Sequence, residues 1–305
     1  MNRYAKLWQR IQAGEKVIID GATGTEVERR GVPQIDQAWN GGGTVTHPEI
    51  VQQIHADYIE HGAEIVISNT FATGKHNLQD AGWSDQFDLL NRNGVTLAQA
   101  ARAKLNKPDV LVAGGISHWS WGVEPTLEQL RQNISEQAAI MADAGADLIM
   151  LEMMSDLPKV LVLIEAAQTA GLPVWVGLSC HLREDGTPVL LFGDVSLADA
   201  LDALKKYDIP LISIMHTEVD YIDTCLDVVD EKWQGPVGVY AHSSFSIETG
   251  TQSIWVFDGV ISPDAYAAYS EGWLKRGVQV IGGCCGVGVP HIKRLNRLVA
   301  ATSSS

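Results

Sequence analysis

At 305 residues the chain has room for one large α/β barrel or two smaller domains. A hydrophobic share of 46% against 19% charged residues describes ordinary globular material with ample core. The net charge of −15 excludes a nucleic-acid backbone or an anionic membrane as the main partner, since both require a positive surface.

No apolar run approaches the roughly 18 residues needed to span a bilayer. Met1 to Trp8 lack the apolar stretch of a signal peptide. Four cysteines, two of them adjacent, do not make a secreted disulfide framework. The cytoplasm is the expected compartment.

In chain order, residues 1–15 read as an amphipathic helix with Tyr4, Leu7, Trp8 and Ile11 at helical spacing, ended by Gly14. Val17-Ile18-Ile19-Asp20 follows as a buried strand that delivers Asp20 to a glycine-punctuated turn, Gly21 to Glu26. The rhythm then repeats. Helical pattern to about His61 precedes a strand ending Ser68-Asn69-Thr70, and helix 87–105 precedes the strand at Val110–Gly115. Helix 127–144 leads to Asp147–Glu152, helix 159–170 to Val174–Cys180, and helix 197–206 to Leu211–His216. A helix around 221–230 precedes Gly235–Tyr240, and helix 263–276 precedes Val278–Ile281.

Eight apolar runs without alternation suit parallel strands buried on both faces. Separated by helix-length segments in one chain of this length, they predict a single (β/α)8 TIM barrel over 1–305 with no interdomain linker. No Gly-x-Gly-x-x-Gly turn follows the first strand, against a dinucleotide-binding sheet. The segments 33–46 and 242–262 read as extended loops over the barrel mouth.

In such a barrel, chemistry sits at the C-terminal ends of the strands. Those ends collect Asp20, Ser68-Asn69-Thr70-Phe71, Glu152, Ser179-Cys180-His181, Met215-His216, Tyr240 with His242, and Gly283-Cys284-Cys285. The last group stands out, because vicinal cysteines on an extended strand face opposite ways. Glycine on both sides permits a sharp turn that brings both sulfurs onto one soft metal, most naturally zinc. A strained vicinal disulfide and two small residues filling a crowded turn are the competing readings. A catalytic zinc wants a third protein ligand and an open position. His216 stands where that ligand is needed, although a rim histidine satisfied by its neighbours reads equally well. Cys180 reads as a small buried residue and Cys225 as a structural one.

Asp20-Gly21-Ala22-Thr23-Gly24-Thr25-Glu26, His55-Ala56-Asp57-Tyr58, Asn69-Thr70-Phe71 and Gly282-Gly283-Cys284-Cys285-Gly286 together resemble the homocysteine S-methyltransferase family, from Val17 to about Ile292. The resemblance implies a (β/α)8 barrel in which zinc on three cysteines binds the sulfur of homocysteine, and a methylated onium donor such as S-methylmethionine or betaine supplies the methyl group, giving methionine. It implies Cys284 and Cys285 as two metal ligands. Asp20, Gly21 and Glu152 would hold the amino-acid end of homocysteine, with Thr70 and Phe71 beside the pocket.

Two departures accompany it. Where the family places Asn-Cys on the sixth strand, this chain has Met215-His216, which predicts a His216-Cys284-Cys285 site. Where relatives carry Tyr-Pro-Asn-Ser-Gly, it has Tyr240-Ala241-His242-Ser243-Ser244. The expected partners are therefore a small-molecule thiol and an onium donor. Another thiol or selenol, another methylated donor, or a non-catalytic binding role remain the alternatives. Trp39, Trp119, Trp121 and Trp255 offer aromatic faces near the rim for an onium group. Oligomeric state is unreadable from the sequence.

Overall fold

The computed structural model describes residues 2–248 and 252–302. Met1 of the first helix and residues 249–251 of the 242–262 segment lie outside the described residues. All eight expected strands form. They are β1 (Val17–Ile18), β2 (Ile65–Ile67), β3 (Leu111–Ile116), β4 (Leu148–Met154), β5 (Val174–Leu178), β6 (Ile212–Glu218), β7 (Val237–His242) and β8 (Val280–Ile281). They make one parallel sheet in the order β1-β8-β7-β6-β5-β4-β3-β2. A parallel bridge from Ile19 to Ile65, with Glu64 N–H donating to the Ile18 carbonyl, joins the two ends of that sheet. The fold is a (β/α)8 barrel.

The continuous apolar runs are explained by two cores. Val17, Ile19, Ile65, Leu111, Leu148 and Trp175 point inward. Ile18, Val66, Val112, Ile149, Val176 and Ile281 point outward beneath the helices. Side chains that alternate between two dry faces leave few polar positions in the strands before their C-terminal ends. Helix starts are set by side-chain caps: Thr126 with Gln129 forms a capping box, and Asp156, Ser196 and Ser262 each accept from a backbone N–H three residues on.

Helix α1 (Arg3–Gln12) closes the N-terminal end of the barrel. Its Leu7 and Ile11 enter the inner core, and Tyr4 and Trp8 pack on the fully buried Trp175 at centroid distances of 6.3 Å each. The Trp175 indole N–H donates to Tyr4 Oη at 3.1 Å.

Three segments differ from expectation. The turn predicted at Gly21–Glu26 enters a helix, α2 (Thr23–Arg29). The 33–46 segment ends in a short helix, Gly43–Thr46, and the 242–262 segment folds into an antiparallel hairpin of Phe245–Glu248 with Ser253–Val256. A second small hairpin, Cys180–Leu182 with Pro188–Leu190, extends the end of β5. No described helix is long and apolar enough to cross a membrane.

Candidate metal centre and active-site cavity

A cavity of about 500 Å³ opens at the C-terminal face of the barrel. Two strands are deformed where they reach it. On β4 the pairing register shifts between Leu151 and Met154, and Met153 has φ 53°. On β6 it shifts between Met215 and Glu218, and His216 has φ 42°. An irregularity of this kind re-aims the side chains it contains, and each holds one residue of interest. Left-handed backbone is uncommon for residues other than glycine, and its presence at two strand ends on one rim marks a functional region.

The first irregularity presents Glu152 to the cavity. A Cβ on Gly115 would lie 2.8 Å from the Glu152 carboxylate, so the neighbouring strand leaves that space to it. Among the described residues no hydrogen bond or ion pair engages this carboxylate. Burial first, then the charges of Cys284 and Asp20, push its pKa well above the ordinary value. Asp20, at the end of β1, is also raised by burial, and accepts the Ile67 backbone N–H at 2.8 Å.

The second irregularity presents His216. After β8, Cys284 N–H donates to the Ala241 carbonyl and the chain turns through Gly286 at φ 83°, a conformation that suits a residue without Cβ. Both sulfurs then converge with the imidazole. Cys284 Sγ lies 3.6 Å and Cys285 Sγ 3.8 Å from His216 Nδ1, and the sulfurs are 3.8 Å apart. Both cysteines are free thiols, and that separation excludes a bond between them. Donor atoms on one tetrahedral ion, with metal–sulfur distances of about 2.3 Å and metal–nitrogen distances of about 2.0 Å, stand about 3.8 Å (S to S) and about 3.5 Å (S to N) apart. The sulfur–sulfur edge and the Cys284–His216 edge match these, and the Cys285–His216 edge is slightly longer at 3.8 Å, so His216, Cys284 and Cys285 can hold one ion. A hydrogen bond from the Cys285 thiol, with His216 alongside, lowers the Cys284 pKa well below the ordinary thiol range, while that of Cys285 is raised.

Beside this corner His242 places Nδ1 3.3 Å from His216 Nδ1 and Nε2 3.0 Å from Glu218. Its hydrogen bond lowers the Glu218 pKa.

Asp20, Gly21 and Phe71 line the same cavity as Glu152 and the three metal-capable residues. Thr70 does not. It is fully buried, with Oγ1 donating to the Gly115 carbonyl at 2.7 Å, and it supports the floor from behind. Cys180 is also remote from the cluster, buried with its thiol against Cys225. The four rim tryptophans all face the cavity. Trp255, Trp39, Phe71, Trp119 and Trp121 form a continuous wall with successive centroid distances of 5.8, 6.1, 5.7 and 4.1 Å. His118, Glu124, Lys159 and Phe192 also line the cavity. Sequence reasoning missed them because His118, Glu124 and Phe192 stand in the connections after β3 and β5 and Lys159 in the first turn of the helix after β4, beyond the strand ends and outside any motif.

A parallel eight-stranded barrel with a thiol-rich, metal-capable corner at its C-terminal face defines an α/β barrel enzyme of the thiol-handling kind. The family model for homocysteine S-methyltransferase matches residues 17–299. The chain belongs to that family and is a methyltransferase of its type.

Relatives include homocysteine S-methyltransferase 4 of Zea mays, 24% identical over 94% of this chain and 90% of that protein. The selenocysteine Se-methyltransferase of Brassica oleracea var. italica is 24% identical over 96% and 91%. Homocysteine S-methyltransferase YbgG of Bacillus subtilis is 26% identical over 88% and 90%. The metallated form of the Escherichia coli homocysteine methyltransferase MmuM superposes with a TM-score of 0.78, at 22% identity over 97% of this chain and 99% of that one.

Proposed function

We propose that the protein is a zinc-dependent S-methyltransferase that moves a methyl group from an onium donor to the sulfur of homocysteine, with His216, Cys284 and Cys285 as the metal ligands. The observation that carries this reading is the triangle of donor atoms with edges of 3.6, 3.8 and 3.8 Å, lining the same cavity as Glu152. Zinc held there would supply a Lewis acid that keeps an incoming thiol ionised near neutral pH.

The protein's own residues account for the rest. Glu152, without a partner, accepts from the ammonium group of the acceptor, and Asp20 and Gly21 border that end of the cavity. The aromatic wall excludes water and attracts the onium group through its ring faces. In the transfer, the thiolate pair forms the new sulfur–carbon bond. The donor's bond to the methyl carbon breaks with its pair returning to the donor heteroatom, which leaves uncharged. The acceptor's thiol proton goes to solvent.

One histidine in place of a thiolate leaves the ligand set one negative charge poorer. The sulfur of the acceptor then carries less electron density and the transfer is slower than on three thiolates. Relatives named for selenocysteine support a selenol as a second acceptor.

Zinc content of the purified protein beside His216→Ala and His216→Cys tests the assignment. Near-stoichiometric zinc in the parent and in the cysteine variant, falling in the alanine variant, is expected. Full zinc in His216→Ala, or an active parent free of metal, would refute it.

A further inference from the structure

The cavity is larger than one end of it requires, and its charges are unevenly placed. Glu152 and the metal-capable corner lie on the floor, around β4, β6 and β8. At the outer end, Glu124 from the β3 connection and Lys159 from the β4 connection face the same space and pair at 2.6 Å. The Lys159 side chain is 19% exposed and Glu124 59%. Lys159 also stands 3.7 Å from Asp156. Among the described residues Lys159 is the one Lys or Arg lining the cavity.

The aromatic wall leads to this pair. It begins at Trp255 and ends at Trp119 and Trp121, three residues before Glu124 in sequence. A ligand whose onium centre lies on the wall, with its methyl directed to the floor, has its far end beside Glu124 and Lys159. One carboxylate and one ammonium held together are the complement of a zwitterionic α-amino-acid head. Lys159 exchanges an exposed partner, Glu124, for the ligand carboxylate, and Glu124 is freed to accept from the ligand ammonium. A donor with a carboxylate alone would satisfy Lys159 and set its charge against Glu124 and Asp156.

We infer that Glu124 and Lys159 form the donor-head subsite and select an α-amino-acid sulfonium over a betaine-type donor that lacks an α-ammonium group. This rests on the methyltransferase reading of the cavity. Two amino-acid heads then bind at opposite ends, the acceptor's at Glu152 and the donor's at the rim, and their reacting centres meet between the wall and the metal-capable corner.

Steady-state kinetics and equilibrium binding on the zinc-loaded protein, with Glu124→Gln and Lys159→Met, test the subsite. The donors are S-methylmethionine and 3-(dimethylsulfonio)propionate, which has the sulfonium and carboxylate without the ammonium. Glu124→Gln is expected to raise the KM and Kd for S-methylmethionine about tenfold and leave those for the second donor unchanged or lower. Lys159→Met is expected to weaken both donors, and in both variants the KM for homocysteine stays within twofold. Unchanged donor constants in both variants, or an equal rise for homocysteine, would overturn the subsite while leaving the methyltransferase reading intact. Absence of turnover with every onium donor would instead refute that reading, and donor binding would still score the subsite.

Discussion

The two ends of the barrel are built by opposite rules. At the N-terminal end Asp147 and the Trp175 indole are fully engaged. Asp147 takes Arg3 at 2.9 Å, Arg102 at 3.1 Å and the Val112 N–H at 2.8 Å, and the Trp175 indole is paired with Tyr4. At the C-terminal end Glu152 has no hydrogen-bond or ion-pair partner among the described residues, His216 and Met153 are held in left-handed backbone, and thiols crowd an imidazole. The difference teaches where stability and chemistry are separated in this fold, since residues that complete each other have nothing left to offer a substrate.

The contrast can be broken from either end. The largest effect is expected at the mouth. Cys284→Ser should reduce bound zinc from near one per chain to a small fraction, measured by elemental analysis, with little change in thermal midpoint of the metal-free protein. Loss of cooperative folding in that variant would show that the corner is structural.

At the closed end, Trp175→Ala removes a fully buried indole and should cost about 3–5 kcal/mol in denaturant unfolding. The metal-capable residues are untouched by it. Metal stoichiometry falling in proportion to stability would mean that the two ends are not independent.

Glu152→Gln sharpens the comparison further. Losing a hydrogen-bonded charge contact to the acceptor should raise the KM for homocysteine about ten- to hundredfold. An ammonium group seated beside the carboxyl would favour its ionised form. In the ligand-free protein the folded carboxyl is raised well above its ordinary 4.5, so between that value and the folded one it holds a proton that the unfolded chain releases. Its stabilising share is whole below about pH 4.5 and is lost as pH rises through the folded value. Glutamine should flatten that fall in the metal-free protein, as read from unfolding curves between pH 4.5 and 7. An unchanged slope would place the carboxyl outside the floor's electrostatics.

The smallest effect is expected on the wall. Trp39→Leu should weaken onium donor binding by about 2- to 30-fold, the range of one cation–π contact, without altering homocysteine binding.

The sequence made the barrel legible because both strand faces are dry: Val110 to Ile116 or Val174 to Leu178 admit few readings other than a doubly buried strand. The cysteine pair was legible from its flanking glycines. Other features were not. Gly24 made α2 look like a turn. A Cβ there would lie 2.4 Å from the Trp39 ring, so the glycine makes way for the wall and does not break the helix. Thr70 was placed beside the pocket with Phe71 by the resemblance, yet past the end of β2 its hydroxyl turns into the protein to the Gly115 carbonyl, and of the two only Phe71 reaches the cavity. The convergence of His216 depends on a left-handed residue that no residue type at 215–218 announces. Glu124 and Lys159 meet across 35 positions through the packing of two connections.

Helix α1 has a consequence for traffic. Packed on the inner core, it closes one end of the barrel, and among the described residues the cavity opens at the other, with Cys285 buried at the floor and Glu124 and Phe192 exposed at the lip. Whatever occupies the floor must enter first and leave last. A donor seated across the lip bars the way to the metal corner, so excess donor should inhibit and added homocysteine should relieve it. Turnover then has the discipline of a stack: load from the bottom, empty from the top.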